Sequence, residues 1–269
     1  MTSSAGSEPP ARGRRPPPPW RQVRVLRTER LSARMGRVTL AGEELQGLVV
    51  DEPAASVRVL LPAADGTLVI PVWTGNEFLL PDGRRPPIRT LTPRRLDATR
   101  LELDVEIVIH GRGAASAWAQ TAGPGVQAAV SGPARGYRSD RDAADFLLAG
   151  DETALPAIGQ LLEALPGGAP VQAAIEVGAP DGRLALPGRS GTTVNWLDAS
   201  PGAPPGEALV AAVRGAELGP GTAVWVAGEA AAVQRVRRHL FEERGLPRAR
   251  ATVRGYWKYG REAGAGDEP

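Results

Sequence analysis

The chain has 269 residues, 42% of them apolar, and 32 basic residues nearly cancel 30 acidic ones to leave a formal charge of +2. That is enough apolar material for two cores, without the basic excess of a nucleic-acid binder. Cysteine is absent and only His110 and His239 carry imidazole, which excludes disulfides, thiol nucleophiles and cysteine-ligated metal centres and makes a protein metal site unexpected.

Redox chemistry would therefore rest on a bound organic cofactor, and any metal would arrive inside a ligand of its own. No apolar run reaches the ~20 residues that span a bilayer, and the first residues lack the apolar stretch of a secretory signal. A cytoplasmic protein without membrane insertion is expected. Residues 1–19, rich in proline and arginine and ending in the run Pro16–Pro19, read as a mobile tail.

From residue 20 to about 140 the pattern is short alternating stretches: RQVRVLR, GRVTLAG, SVRVLLP, TLVIPV, LELDVEIVI and VQAAVSG. Gly, Pro and Asp clusters separate them, as in an antiparallel β-barrel. GEELQGL, residues 42–48, is the one helical turn of this half.

Within it, IRTLTPRR (residues 88–95) offers Arg89 to a flavin ring or phosphate, Thr92 to the polar edge of a flavin, and Arg94 and Arg95 as bidentate partners for pyrophosphate. A solvated edge strand is the alternative reading. In IHGRGAASAWAQ (residues 109–120) a strand ends at His110, glycines follow, and Ser116 stands where a helix can begin. The helix start would cradle phosphate, or be a Gly-rich turn with a serine cap.

From residue 141 to 262 strands alternate with helices. DFLLA is followed by a helix near 154–165, then VQAAIEV, TTVNWL, a helix near 207–218, TAVWVAG, a helix near 229–244 stopped by Gly245, and ATVRGYW. Such alternation predicts a parallel sheet covered by helices, an α/β nucleotide-binding domain. Residues 263–269 read as a second flexible tail. A β-barrel followed by a parallel α/β domain suggests a flavin on the first and a pyridine nucleotide on the second.

Two further segments carry candidate chemistry. FLLAGDETALPAIGQLL (residues 146–162) turns a buried strand into a helix through Gly150, Asp151, Glu152 and Thr153, where acids favour the positive helix end and disfavour a second pyrophosphate. GYWKYGRE (residues 255–262) sets Trp257, Lys258 and Arg261 at the end of a strand, a cationic and aromatic group suited to an anionic, aromatic ligand.

Taken in order, IRTLTPRRLD, VEIVIHGRGAASAWA, AAVSGPARGY, FLLAGDETALPAIGQLLEALP, VWVAGEAAAVQRVRRHLFEERGL and GYWKYGR resemble the siderophore-interacting protein family. The resemblance runs from about Trp20 to Arg261. It implies a ferredoxin reductase-like fold and a ferric-siderophore reductase that passes electrons from NADPH or NADH through FAD to Fe(III). It further implies that Arg89, Thr90, Leu91 and Thr92 contact the flavin, with Leu91 standing where the family usually has tyrosine.

His110, Gly113, Ala114, Ala115, Ser116 and Trp118 would hold the FAD phosphates, with Ala114 at a frequent proline position. Gly150–Thr153 would face nicotinamide and flavin, while Lys258, Arg261 and Trp257 would meet the ferric siderophore. No residue is required as an acid or base, and a monomer is expected. A flavin reductase for another acceptor, or a non-catalytic flavin- or siderophore-binding protein, is the alternative.

Overall fold

The computed structural model describes residues 16–111 and 113–260. Seven strands form one antiparallel sheet: β1 (Arg21–Arg30), β2 (Met35–Ala41), β3 (Ser56–Leu60), β6 (Ile88–Leu91), β7 (Pro93–Asp97), β8 (Glu102–Val108) and β9 (Gln127–Ala134), in the order β6-β3-β9-β1-β2-β8-β7. The outermost strands, β6 and β7, are consecutive in the chain and separated by Thr92 alone, so the sheet curls until its two ends meet there. Its period-2 residues fill the barrel: Val25, Val38, Leu40, Val59, Leu103, Val105 and Val130 are each at most 1% exposed.

GEELQGL yields a single 3-10 turn at Glu43–Leu45. TLVIPV, expected as a barrel strand, instead contributes Val72 to a small hairpin of β4 (Val72–Trp73) and β5 (Phe78–Leu79) outside the sheet. Its side chains are exposed at Val69, Ile70 and Val72, and the hairpin is anchored by Phe78, packed edge-on against Trp20 and Trp73. Pro71 and the short pairing explain the difference, since proline cannot donate to a central ladder. One helix, α1 (Ala114–Thr121), lies between β8 and β9.

The second half is a five-stranded parallel sheet of order β12-β11-β10-β13-β14, built from β10 (Asp145–Asp151), β11 (Val171–Val177), β12 (Thr192–Asp198), β13 (Thr222–Glu229) and β14 (Ala251–Trp257). Alternate residues of β10 serve opposite faces. Phe146 and Leu148 pack with Ile158 and Leu161 of α2 (Leu155–Ala164), whereas Leu147 and Ala149 pack with α3 (Glu207–Gly215) and α4 (Ala230–Arg238). The helix expected through residue 244 leaves α-geometry after Arg238 and finishes as one π-turn, His239–Glu243, with Gly245 beyond it at φ 67°.

Between β10 and β13 the strand order reverses, and in such sheets the crevice at the carboxyl ends of these two strands is where ligands sit. Both strands end in the same way, Ala149-Gly150-Asp151 and Ala227-Gly228-Glu229. A Cβ on Gly228 would stand 2.6 Å from Asp151 Oδ2 and one on Gly150 would overlap Ala154 and the carbonyl of Ala227, so each glycine makes room for the turn beside it.

Candidate functional site: the crevice between barrel and parallel sheet

The barrel contributes the strand closure to the crevice. Thr92 is buried and hydrogen-bonded to the hydroxyl of Tyr256, near the end of β14. Burial pushes the Tyr256 phenol up to about 12, so it is neutral at physiological pH, and its ring meets Trp225 edge-on at 6.3 Å. Tyr256 thus ties the closing point of the barrel to the centre of the parallel sheet.

Around Thr92, Arg89 is half-buried with one Nη donating to its neighbour Ile88 O at 2.8 Å, and Thr90 faces solvent. Leu91, across from Val57 of β3, packs against the barrel core. Arg94 pairs bidentately with Glu163 of α2 at 2.7 and 3.1 Å, so it fastens the two halves together and is not a free pyrophosphate donor. Arg95 is exposed, 3.9 Å from Asp97.

The cradle sequence differs from expectation in two residues. Helix α1 starts at Ala114 with Gly113 as its N-cap, at φ 76° and without a side-chain cap, so Ser116 lies inside the first turn. Ser116 is 1% exposed, and its hydroxyl accepts the amide of His110 at 3.1 Å, closing the loop onto the helix. Trp118 points into the barrel core, one turn along, because the inner face of a helix on a barrel must be apolar. The outward part of the turn is Gly113 and Ala114, with His110 exposed beside it, while Ala115 is half-buried against the barrel core. The amides of a first turn have no partner within the helix, and among the described residues no side chain caps them.

The acidic turn is turned inward. Asp151 Oδ1 accepts from the amide and hydroxyl of Thr153 at 2.9 and 2.5 Å, while Oδ2 accepts from the amide of Glu229 at 2.9 Å and from the Trp257 indole at 2.7 Å. Burial raises the Asp151 carboxyl above its ordinary value against the opposing pull of these donors. Glu152, 6% exposed, takes Arg34 from the β1–β2 turn in a bidentate pair and also accepts the amide of Gly178.

Both carboxylates are therefore committed to protein groups, Gly150 is buried between β11 and β13, and Thr153 is the half-buried residue of this turn. Glu229 caps α4 through the amide of Ala232 and also holds the amide of Tyr259. The C-terminal segment is thus gripped at Trp257 by Asp151 and at Tyr259 by Glu229. Between these grips Lys258 is exposed, beside Trp257 at 36% and Tyr259 at 66% exposure. Arg261 lies outside the described residues.

Composition and motif spacing had not singled out Tyr256, Glu229 or Arg34. The doubled Ala-Gly-acid ending of β10 and β13 was a usable signal for Glu229. Nothing local marks Arg34, whose partner is 118 positions away.

An antiparallel barrel followed by a parallel sheet with its crevice at this switch point is a ferredoxin reductase-like fold, and solved reductases below 20% identity share it. More closely, residues 24–137 match the siderophore-interacting FAD-binding domain and residues 143–260 match the siderophore-interacting protein model. The chain belongs to the siderophore-interacting protein family.

It is 36% identical to a siderophore utilization protein from T. fusca of known structure, covering 91% of this chain and 95% of that one with a TM-score of 0.80. It is 30% identical to the ferric vibriobactin reductase ViuB of Vibrio cholerae over 90% of each chain. It is 37% identical to the NADPH-dependent ferric-chelate reductase of Escherichia coli over 54% of this chain and 57% of that protein. The residues at the start of α1 fit FAD: an uncapped helix end, a glycine in the left-handed region and small exposed side chains leave room for a pyrophosphate against free amides.

Proposed function

We propose that this protein is a ferric-siderophore reductase, drawing electrons from NADPH or NADH through FAD and releasing iron as Fe(II). The reading rests on one observation above all: Tyr256 is hydrogen-bonded to Thr92 and the next residue, Trp257, donates its indole N–H to Asp151, so the closing point of the barrel, the turn after β10 and the segment carrying Lys258 lie together at one crevice. FAD, when bound, supplies the coupling between a two-electron donor and a one-electron acceptor, so one hydride serves two ferric ions.

The chain's own contribution is binding and orientation. The amides of Ala114 and Ala115 would hold the phosphates, Arg89 and Thr92 the ring's polar edge, and Thr153 the carboxamide of the donor. Lys258, beside the exposed face of Trp257, attracts an anionic chelate. Fe(II) is held less tightly by hard oxygen ligands and leaves. The neutral Tyr256 phenol acts as a fixed strut, and no side chain needs to move a proton. Among the described residues no helix is long and apolar enough to cross a membrane; the reaction is assigned to a monomer in the cytoplasm, where NAD(P)H is available.

The deciding experiment adds NADPH or NADH anaerobically to the purified yellow holoprotein, then a ferric siderophore with a ferrous-iron indicator. Bleaching, return of the yellow colour and two Fe(II) per hydride are expected. Bleaching that only other acceptors reverse would identify a flavin reductase, and no bleaching would leave a binding protein.

Two variants test individual residues. Lys258→Glu is expected to raise the apparent KM for an anionic ferric siderophore several-fold at low salt while sparing flavin reduction, an effect that fades as screening shortens to about 8–10 Å. A slowed flavin-reduction step with normal chelate reduction would move Lys258 to the nucleotide site. Leu91→Tyr is expected to tighten FAD by about 1 kcal/mol through an added ring contact; weaker binding in a fluorescence titration would show that the larger ring cannot leave the barrel core.

A further inference from the structure

The β1–β2 turn reaches across to the acidic turn through one ion pair. Arg34 Nε and Nη2 meet the two oxygens of Glu152 at 2.6 and 2.7 Å, with side-chain exposures of 29% and 9%. Bidentate guanidinium–carboxylate geometry sets an angle as well as a distance. The surroundings are shaped for the pair. A Cβ on Gly178 would stand 2.6 Å from Arg34 Nη2, and one on Gly182 would overlap Glu152 Oε1. Neither glycine has a positive φ that would demand it, so space for the pair is their evident requirement.

Each partner is also rigidly attached to one half of the crevice. On the barrel side, the carbonyl of Arg34 accepts the amide of Ile109 at 2.7 Å, and the next amide, His110, donates to Ser116 in the first turn of α1. On the other side, Glu152 accepts the amide of Gly178 at 3.0 Å and lies between Asp151 and Thr153. Other polar fasteners between the halves, among them Thr92 with Tyr256, Ala54 N to Gln160, Arg94 to Glu163, Gln160 to Pro93 O and Arg254 to Gly136 O, act on α2 and β14. Arg34–Glu152 acts directly on the two ligand-bearing turns.

Resting on the function proposed above, we propose that Arg34 and Glu152 are positioning residues that set the separation of the phosphate cradle at Gly113–Ser116 from the turn at Gly150–Thr153. They thereby set the approach of the nicotinamide to the flavin. Neither side chain touches the reacting rings; the pair acts through the two turns it joins. A buried pair is a costly way to gain stability alone, because desolvation offsets much of the attraction, whereas fixed geometry is what it supplies well. Reaction rates are sensitive to such geometry, a misplacement of about 1 Å costing on the order of 100-fold.

The test uses the full-chain holoprotein with Glu152→Gln, which removes the charge at constant size, and Gly178→Ala, which leaves both charges and displaces the guanidinium. Stopped-flow reduction at saturating NAD(P)H is expected to slow by about 10- to 100-fold in both. FAD and oxidised-dinucleotide affinities should stay within about threefold of wild type, a change under one factor of ten in the equilibrium constant. The long-wavelength charge-transfer absorbance that reports ring stacking, recorded with dithionite-reduced FAD as electron donor and oxidised dinucleotide as acceptor, should weaken in parallel.

The reversed pair Arg34→Glu with Glu152→Arg should recover part of both signals. Unchanged rate and unchanged charge-transfer absorbance in the single variants would overturn the proposal, as would losses that follow only from lost FAD or lost fold. If the wild type itself is not reduced by NAD(P)H, the reductase reading fails, and the charge-transfer absorbance still decides the role of the pair.

Discussion

Replacing Asp151 by asparagine is expected to destabilise the protein by about 2–4 kcal/mol, because the carboxylate is surrounded by four donors and the amide brings donors of its own. Whichever way the amide is turned, its NH2 faces an N–H: that of Thr153 on one side, or those of Glu229 and Trp257 on the other. The Trp257 indole loses its anchor, so the C-terminal segment should loosen and intrinsic fluorescence should shift alongside the urea midpoint.

The pH dependence has a definite sign. Burial raises the folded-state value of Asp151 above that of the unfolded chain, so the folded state binds this proton more readily. The contribution of this group is present at low pH and is lost as pH rises through the raised value. Asparagine has no such contribution, so the stability gap between wild type and variant should be widest in acid and narrow toward neutrality. A gap independent of pH would mean that Asp151 titrates as it does in the unfolded chain.

Ala114→Asp is expected to separate cofactor binding from folding. Ala114 is exposed in the first turn of α1, where among the described residues no side chain caps the amides. A carboxylate there favours the positive helix end by about 0.3–1 kcal/mol and should leave the apoprotein as stable as wild type or slightly more so. The same carboxylate opposes a pyrophosphate at roughly 5 Å, costing about 1–3 kcal/mol between the limits set by water and a partly screened surface. FAD affinity should fall by about 5- to 150-fold. Titration of FAD into the apoprotein, set beside its urea curve, checks both halves; unchanged affinity with the expected stability would place the phosphates away from α1.

Much of this protein is determined by its sequence alone. The change from period-2 alternation before residue 140 to strand–helix alternation after it specifies a barrel and a parallel sheet, since each pattern can bury its apolar face in only one kind of layer. That helices start near the Gly-rich turn and after Asp151 was legible, although the first begins at Ala114 and not at the expected Ser116, because capping is a local matter of adjacent amides and side chains. TLVIPV misled because alternation reports apolar residues without reporting whether a neighbouring strand is there to pair with them.

What tertiary structure decided is the direction of the polar groups. The sequence places Asp151 and Glu152 at a helix start. Only the approach of β13, β14 and the β1–β2 turn decides that four donors meet Asp151, that Arg34 meets Glu152, and that neither carboxylate remains for a ligand. Likewise Ser116 and Trp118 lie in the cradle segment, but their inward orientation follows from how α1 sits on the barrel. Tyr256 becomes a strut to Thr92 because the closure of one sheet falls beside the last strand of the other. Contacts between residues more than a hundred positions apart leave no periodic trace in the chain; they exist because burying a charge or hydroxyl requires a partner, and the fold alone determines which partner is within reach.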